Sequence, residues 1–139
     1  SNLYRARAAL EDVAVRQAAE RHAPDLAAPW RDRARVAAEQ RDLPTLIRVD
    51  RTFHESIGQA SGNVYLQRLQ AQLWSQIERV MHEYLRFERY PQHVWEEHQM
   101  IAHAIQAGRG AEAARYMRRH LDASLAAVIG HLREEHKQP

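Results

Sequence analysis

Apolar and polar residues alternate along the chain with a period of three to four residues. Runs rich in Ala, Leu, Arg, Glu and Gln show this period, which is typical of amphipathic α-helices, and these residue types also favour helix. The 5 glycines and 5 prolines lie mainly between the runs, where they end helices or begin turns. Clusters of β-branched residues are few. The pattern therefore predicts an all-α fold, an antiparallel bundle of six to seven helices.

The boundaries of the predicted helices follow from these breaks. Pro24 and Asp25 end a first helix, and a second helix starts either at about Asp25 or only after Pro29, ending near residue 41. Asp42 is the predicted N-cap of a third helix that has Pro44 in its first turn and reaches about residue 60. The remaining helices are predicted over about residues 64–90, 92–107 and 111–133. A break in the long fourth helix would produce a seventh helix.

The long fourth helix carries the most regular apolar stripe in the chain. Its members are spaced by threes and fours, which predicts packing against partner helices. They are Leu66, Leu69, Leu73, Ile77, Val80, Tyr84 and Phe87.

Polar residues interrupt the apolar faces of three predicted helices. Asp50 lies on the same face as Leu46, Ile47 and Phe53, and His54 follows one turn later on that face. His98 shares a face with Trp95 and Ile101, and His120 shares one with Tyr116 and Met117. A carboxylate buried among apolar side chains is costly unless it is paired or binds a metal.

These four inward-facing residues, Asp50, His54, His98 and His120, have two interpretations. Each histidine can be an ordinary core residue that is satisfied by hydrogen bonds. Together, however, one carboxylate and three imidazoles on three helices are a ligand set for a divalent ion. Zinc is the favoured metal, with nickel or manganese as alternatives. The other histidines lie at helix ends, in the tail, or off the apolar stripes.

Composition and charge narrow the class of protein. A chain of 139 residues suits one domain, and 20 Lys+Arg against 18 Asp+Glu give a formal charge of only +2. This balance argues against a dedicated nucleic-acid surface, which would be plainly basic. The absence of cysteine excludes disulfides, thiolate metal sites and a cysteine nucleophile. No apolar run approaches the roughly 20 residues that span a bilayer, so no membrane partner is expected.

The start of the chain also carries information. Ser1-Asn2 replaces an initiator Met, and no secretory or transit segment follows. This start fits a processed chain or, as we expect, a fragment of a longer parent protein, located in the cytoplasm.

Four segments of the sequence stand out as motifs. They are LYRARAALE at 3–11, DRTFH at 50–54 followed by ASGN at 60–63, EHQMI at 97–101, and AARYMRRHL at 113–121. In order and spacing they resemble the R-x-x-L-E, D-x-x-F-H … A-S-G-N-x-x-L, E-H-x-x-I and A-x-x-x-M-x-x-H-L motifs of the FCD domain. That domain is the effector-binding C-terminal part of FadR-subfamily regulators, which are GntR-type bacterial transcription factors. The resemblance covers nearly the whole chain.

The resemblance implies a function for residues 1–139 as a single ligand-binding and dimerisation domain. Many FCD domains hold a buried divalent metal through one Asp and three His, which correspond here to Asp50, His54, His98 and His120. The sequence thus resembles the metal-containing branch, whose effectors are usually small organic acids. The family also implies a homodimer that binds operator DNA only through an N-terminal winged-helix domain, and that domain is absent from this sequence.

The sequence restricts the effector contacts less than it restricts the metal ligands. An arginine can bind a carboxylate with two parallel hydrogen bonds, which makes the arginines near the predicted cavity candidates. They are Arg7, Arg79, Arg86 and Arg118. The candidates for pocket lining are Trp74, Ile77, Met81 and Tyr84.

Two alternatives to a sensor remain. A metal-dependent helical-bundle hydrolase would need a general base beside its metal-bound water. The His-Glu pairs at His54 and His82 lack the second histidine of a zincin motif, and Glu55 and Glu97 point about 100° off the faces of the neighbouring ligands. We therefore predict that the protein is not an enzyme. The second alternative is a purely structural dimerisation domain.

Overall fold

The computed structural model of the chain describes residues 1–85 and 93–137. In these ranges the chain forms six α-helices and no strand, which confirms the predicted all-α bundle. The helices are α1 (Asn2–Glu20), α2 (Arg31–Glu39), α3 (Leu43–Ala60), α4 (Val64–Leu85), α5 (Val94–Gln106) and α6 (Gly110–Glu135). A short 3₁₀ helix, Ala28–Trp30, precedes α2. No helix in the described ranges is both long and apolar enough to cross a membrane.

The start of α3 is the one that the sequence predicts. The Asp42 side chain accepts hydrogen bonds from the backbone N–H of Thr45, at 3.2 Å, and from the Thr45 hydroxyl, at 2.7 Å. Pro44 lies in the first turn, where a backbone N–H has no acceptor within the helix, so proline costs no hydrogen bond there. The first residue of the helix that bears Asp50 and His54 is therefore fixed by local chemistry.

The second helix begins at the later of its two predicted starts. The Asp25 carboxylate accepts hydrogen bonds from the N–H groups of Ala27 and Ala28, at 3.0 and 3.1 Å, and so stabilises a turn rather than a helix. Pro29 lies in the following 3₁₀ helix. The first helix also ends earlier than predicted, at Glu20, because His22 adopts a left-handed backbone conformation with φ 48°.

The predicted apolar stripe on α4 is confirmed for Leu66 and Ile77, but the buried face is rotated away from Leu69. The side chains that are buried are Leu66, Gln70, Trp74, Ile77 and Leu85, whereas Leu69 is 48% exposed. Gln70 replaces Leu69 on the buried side because Gly58 of α3 has no side chain, which leaves room for the Gln70 carboxamide. Phe87 and Pro91 lie outside the described residues.

Helix α1 has a central place in the bundle and contacts α3, α4, α5 and α6. Its buried face carries Tyr4, Arg7 and Glu11 as well as the small residues Ala14 and Ala18. The small residues allow close packing against neighbouring helices. Arg7 and Glu11 place two charged groups in the interior, next to the helices that bear the predicted metal ligands.

Candidate metal centre and adjoining cavity

The fold brings the four predicted metal ligands together. Asp50 and His54 come from α3, His98 from α5 and His120 from α6, and one potential ligand atom of each lies within 4.8 Å of all the others. Their relative exposures are 4%, 0%, 0% and 3%. The cluster thus lies buried where three helices pack together.

Within the cluster the Asp50 carboxylate faces two imidazoles. Its Oδ1 atom is 3.2 Å from His98 Nε2 and 3.6 Å from His54 Nε2. The His120 ring lies 4.8 Å from that of His98 and 5.6 Å from that of His54, centroid to centroid. One oxygen and several ring nitrogens therefore point at a shared centre.

Several polar atoms of the cluster have no hydrogen-bond partner. They are Asp50 Oδ1, His54 Nε2 and both ring nitrogens of His98. Unsatisfied polar atoms are rare in protein interiors because each costs about 1–3 kcal/mol. A divalent cation would satisfy three of these four at once, and one oxygen with three imidazoles is a donor set that suits zinc. The residues present therefore fit a metal ion.

The charge states of Asp50 and His98 suit a cation. Burial alone would raise the pKa of the Asp50 carboxyl, but the adjacent imidazoles of His54 and His98 hold this pKa well below its usual range. Burial lowers the pKa of His98 to about 3, helped by the positive charges of His120 and His54 and opposed by Asp50. Burial also acts to lower the pKa of His54, but the Glu11 carboxylate raises it overall, so metal binding at His54 would release a proton.

Glu11 is a functional candidate that the sequence analysis does not single out. Its Oε1 atom is hydrogen-bonded to Nδ1 of His54, and its Oε2 atom accepts a hydrogen bond of 3.0 Å from Nε of Arg7. Burial would raise the pKa of Glu11, but the nearby charges of His54 and Arg7 lower it to about 2. A sequence signal exists, since Arg7 and Glu11 are one turn apart on the face that carries Tyr4, Ala14 and Ala18.

Glu97 is a second carboxylate beside the cluster, which the sequence analysis does not predict. Glu97 Oε1 lies 3.3 Å from Nδ1 of His120 and 3.8 Å from Nε2 of His93. The expectation considered only the angle between Glu97 and His98 on their own helix. The carboxylate instead reaches a ligand on α6, which no property of α5 alone reveals.

A cavity of about 250 Å³ borders the cluster. Its polar lining residues are Tyr4, Arg7, Asp50, His93, Glu97, His120 and Ser124. The other lining residues are Met81, Tyr84, Leu85, Val94, Ala123, Ala127 and Val128. The cavity is therefore bounded by residues of the candidate metal centre and by apolar side chains.

The predicted effector contacts divide into three groups. Arg7 and Met81 line the cavity. Trp74 and Ile77 are buried beside it and line a smaller pocket that also borders Arg7. The remaining arginines form the third group.

Arg79 and Arg118 are exposed and do not line the cavity. Helical phase explains the first of these, since Arg79 is two residues from both Ile77 and Met81 and hence about 160° from either of them around the helix. Arg118 directly follows the buried Met117, so it points about 100° away from that side chain. Arg86 lies outside the described residues.

Comparison with known proteins identifies one family. The model of the FCD domain matches residues 2–123, a range that includes the four clustered ligands as well as Arg7, Glu11 and Glu97. No curated protein matches the sequence.

Proposed function

The chain belongs to the FCD domain family, the effector-binding domains of GntR-family regulators, and we propose that it senses a small organic acid at a buried divalent metal. In this proposal residues 1–139 act as one ligand-binding and dimerisation domain. Binding of the acid controls how a winged-helix domain of the same regulator binds operator DNA in the cytoplasm. The observation that carries the proposal is the cavity that opens directly onto the Asp50 and His120 side chains.

The polar wall of the cavity suits a carboxylate. A divalent ion held by the Asp/His₃ cluster would supply positive charge for that carboxylate, and zinc fits the donor set best, ahead of nickel and manganese. The Arg7 guanidinium borders the same space and keeps a permanent positive charge, because arginine stays protonated in proteins. Tyr4 adds a phenol that can donate a hydrogen bond.

The size and the apolar wall of the cavity restrict the rest of the ligand. A volume of about 250 Å³ lies just below the roughly 300–1,000 Å³ of typical ligand pockets, so it suits a small ligand. A small organic acid fits this space with its carboxylate at Arg7. Its hydrocarbon part then contacts Met81, Leu85 and Val128, where apolar contact excludes water.

The proposal includes a homodimer. Tyr65 and Leu69 are one turn apart on α4 and are 72% and 48% exposed, so they present an apolar contact that a second copy can cover. An acid that binds two dimer arrangements with different affinity shifts the population between them, and this shift is what would switch DNA binding. Light scattering at micromolar concentration tests the dimer, and a strict monomer would count against it.

Calorimetry against a panel of organic acids, with and without zinc, tests the sensing function. We expect at least one hydroxy acid, dicarboxylate or apolar monocarboxylate to bind, and to bind only to the zinc-loaded protein. Binding that does not depend on zinc would remove the proposed mechanism. Turnover of a panel member would favour the metal-dependent hydrolase instead.

A further inference from the structure

The Glu11 carboxylate bridges a buried cation and one of the clustered histidines. Oε2 accepts the Nε–H of Arg7 at 3.0 Å, and Oε1 is hydrogen-bonded to Nδ1 of His54. The relative exposures of Arg7, Glu11 and His54 are 5%, 3% and 0%, so water does not compete for these hydrogen bonds. The bridge also crosses between helices, because Arg7 and Glu11 belong to α1 and His54 belongs to α3.

The chemistry of the bridge determines which nitrogen of His54 faces the cluster. An ionised carboxylate only accepts hydrogen bonds, so the hydrogen shared with Glu11 belongs to Nδ1 of His54. An imidazole that binds a metal is neutral, and if it keeps its hydrogen on Nδ1 its lone pair lies on Nε2. That Nε2 atom has no hydrogen-bond partner and lies 3.6 Å from Asp50 Oδ1, on the cluster side of the ring.

We propose that Glu11 is a positioning residue for the metal centre, which fixes the tautomer and orientation of His54, and that Arg7 holds Glu11 in place for this role. The inference rests on the metal binding proposed above. Carboxylates that accept from the second nitrogen of a metal-bound histidine raise its basicity and orient its ring, and their loss typically weakens metal binding by about 10–100-fold.

The three histidines differ in the hydrogen-bond partner of their Nδ1 atom. His54 has a fully buried carboxylate that is itself held by an arginine. His120 has the Glu97 carboxylate at 3.3 Å, but this side chain is 22% exposed and is shared with His93. Nδ1 of His98 has no hydrogen-bond partner in the part of the chain that the structure describes. Glu11 is therefore the outer residue whose removal should affect the metal most.

The direct test is the Glu11→Gln substitution in the full chain, with zinc as the probe. The amide has the size of the carboxylate but only one acceptor atom, so either Arg7 Nε–H or His54 Nδ1–H must face an NH₂ group. We expect zinc affinity, measured by competition with a chelator, to fall by about 10–100-fold. Glu78→Gln is the matched control, because Glu78 is also paired with an arginine, Arg51 at 3.0 Å, but belongs neither to the ligand cluster nor to the cavity lining, and it should bind zinc as tightly as the wild type.

Thermal unfolding separates positioning from a merely structural role. A structural role would lower the melting temperature of the zinc-free and zinc-loaded protein equally. A positioning role reduces the rise in melting temperature that zinc produces, because that rise depends on zinc affinity. An unchanged zinc affinity in Glu11→Gln, with the wild type binding zinc, would overturn the role of Glu11 alone. A wild type that binds no zinc would overturn both this inference and the proposed function.

A measurement on the wild type keeps the test decisive if Glu11→Gln does not fold. Long-range ¹H–¹⁵N spectra of the zinc-loaded protein distinguish the two nitrogens of each imidazole, and His54→Ala assigns the His54 signals. We expect His54 to carry its hydrogen on Nδ1 and to bind zinc through Nε2. Zinc bound through Nδ1 of His54 would contradict the inference.

Discussion

The guanidinium carbon of Arg7 lies 4.9 Å from the ring centroid of Trp74, so the aromatic face of a buried tryptophan supports a buried cation. The same guanidinium group is paired with Glu11 and borders the cavity. Arg7 thus connects the packing of α1 and α4 to the wall at which a carboxylate ligand is proposed to bind. Its removal should affect both stability and ligand binding.

We predict that Arg7→Met lowers the free energy of unfolding by about 3–5 kcal/mol, because it leaves the buried Glu11 carboxylate without its cationic partner. Urea denaturation monitored by circular dichroism measures this change. Arg5→Met is the matched control on the same helix, since Arg5 is exposed, and it should change stability by no more than about 0.5 kcal/mol. Equal losses in the two variants would contradict the buried ion pair.

We predict that His120→Ala and His98→Ala each abolish stoichiometric metal binding, because each removes one of four donors. Elemental analysis of protein purified without chelator should find about one divalent ion per wild-type chain. A free metal concentration a hundredfold above Kd should also stabilise the wild type by about 2.7 kcal/mol, and neither variant to that extent. His103→Ala is the control on α5, because His103 is 67% exposed, and it should keep the metal. Full metal occupancy in the double variant His98→Ala/His120→Ala would refute the site.

We predict that Ala127→Phe prevents binding of the organic acid without removing the metal. Ala127 lines the cavity, and a phenyl ring would fill much of its volume of about 250 Å³. Calorimetry should show loss of acid binding while elemental analysis shows unchanged metal content. Ala126→Phe places the same ring on the exposed side of α6 and should leave acid binding unchanged. If Ala127→Phe binds the acid normally, the ligand lies elsewhere.

We predict that Asp42→Ala lowers the melting temperature at neutral pH but has little effect in acid. Hydrogen bonds from the hydroxyl and backbone N–H of Thr45 lower the pKa of the Asp42 carboxyl below its usual value of 3.8. Since the folded-state pKa is the lower one, the stabilisation is present above pH 3.8 and is lost as the pH falls through the folded-state value. Melting curves between pH 7 and the acid limit of folding check this, with Asp122→Ala on the exposed side of α6 as control.

The sequence by itself determined the elements of this protein and the identity of the clustered donors. Helix periodicity, proline and glycine positions and the Asp42 cap are local properties, so they predict where helices begin and end without knowledge of the fold. Asp50 and His54 are predicted in the same way, because a polar side chain on an apolar face is visible within one helix. The family motifs added the order and spacing of all four donors.

Only the tertiary structure decided which outer residues surround the cluster. Glu11 contacts His54 across 43 positions of sequence, and Glu97 contacts His120 across 23, so neither contact follows from the period of a single helix. The buried face of α4 likewise depends on Gly58 of α3, which gives space to Gln70. Periodicity fixes which residues share a helix face, but the rotation of each helix against its neighbours is set by packing, which involves residues far apart in the chain.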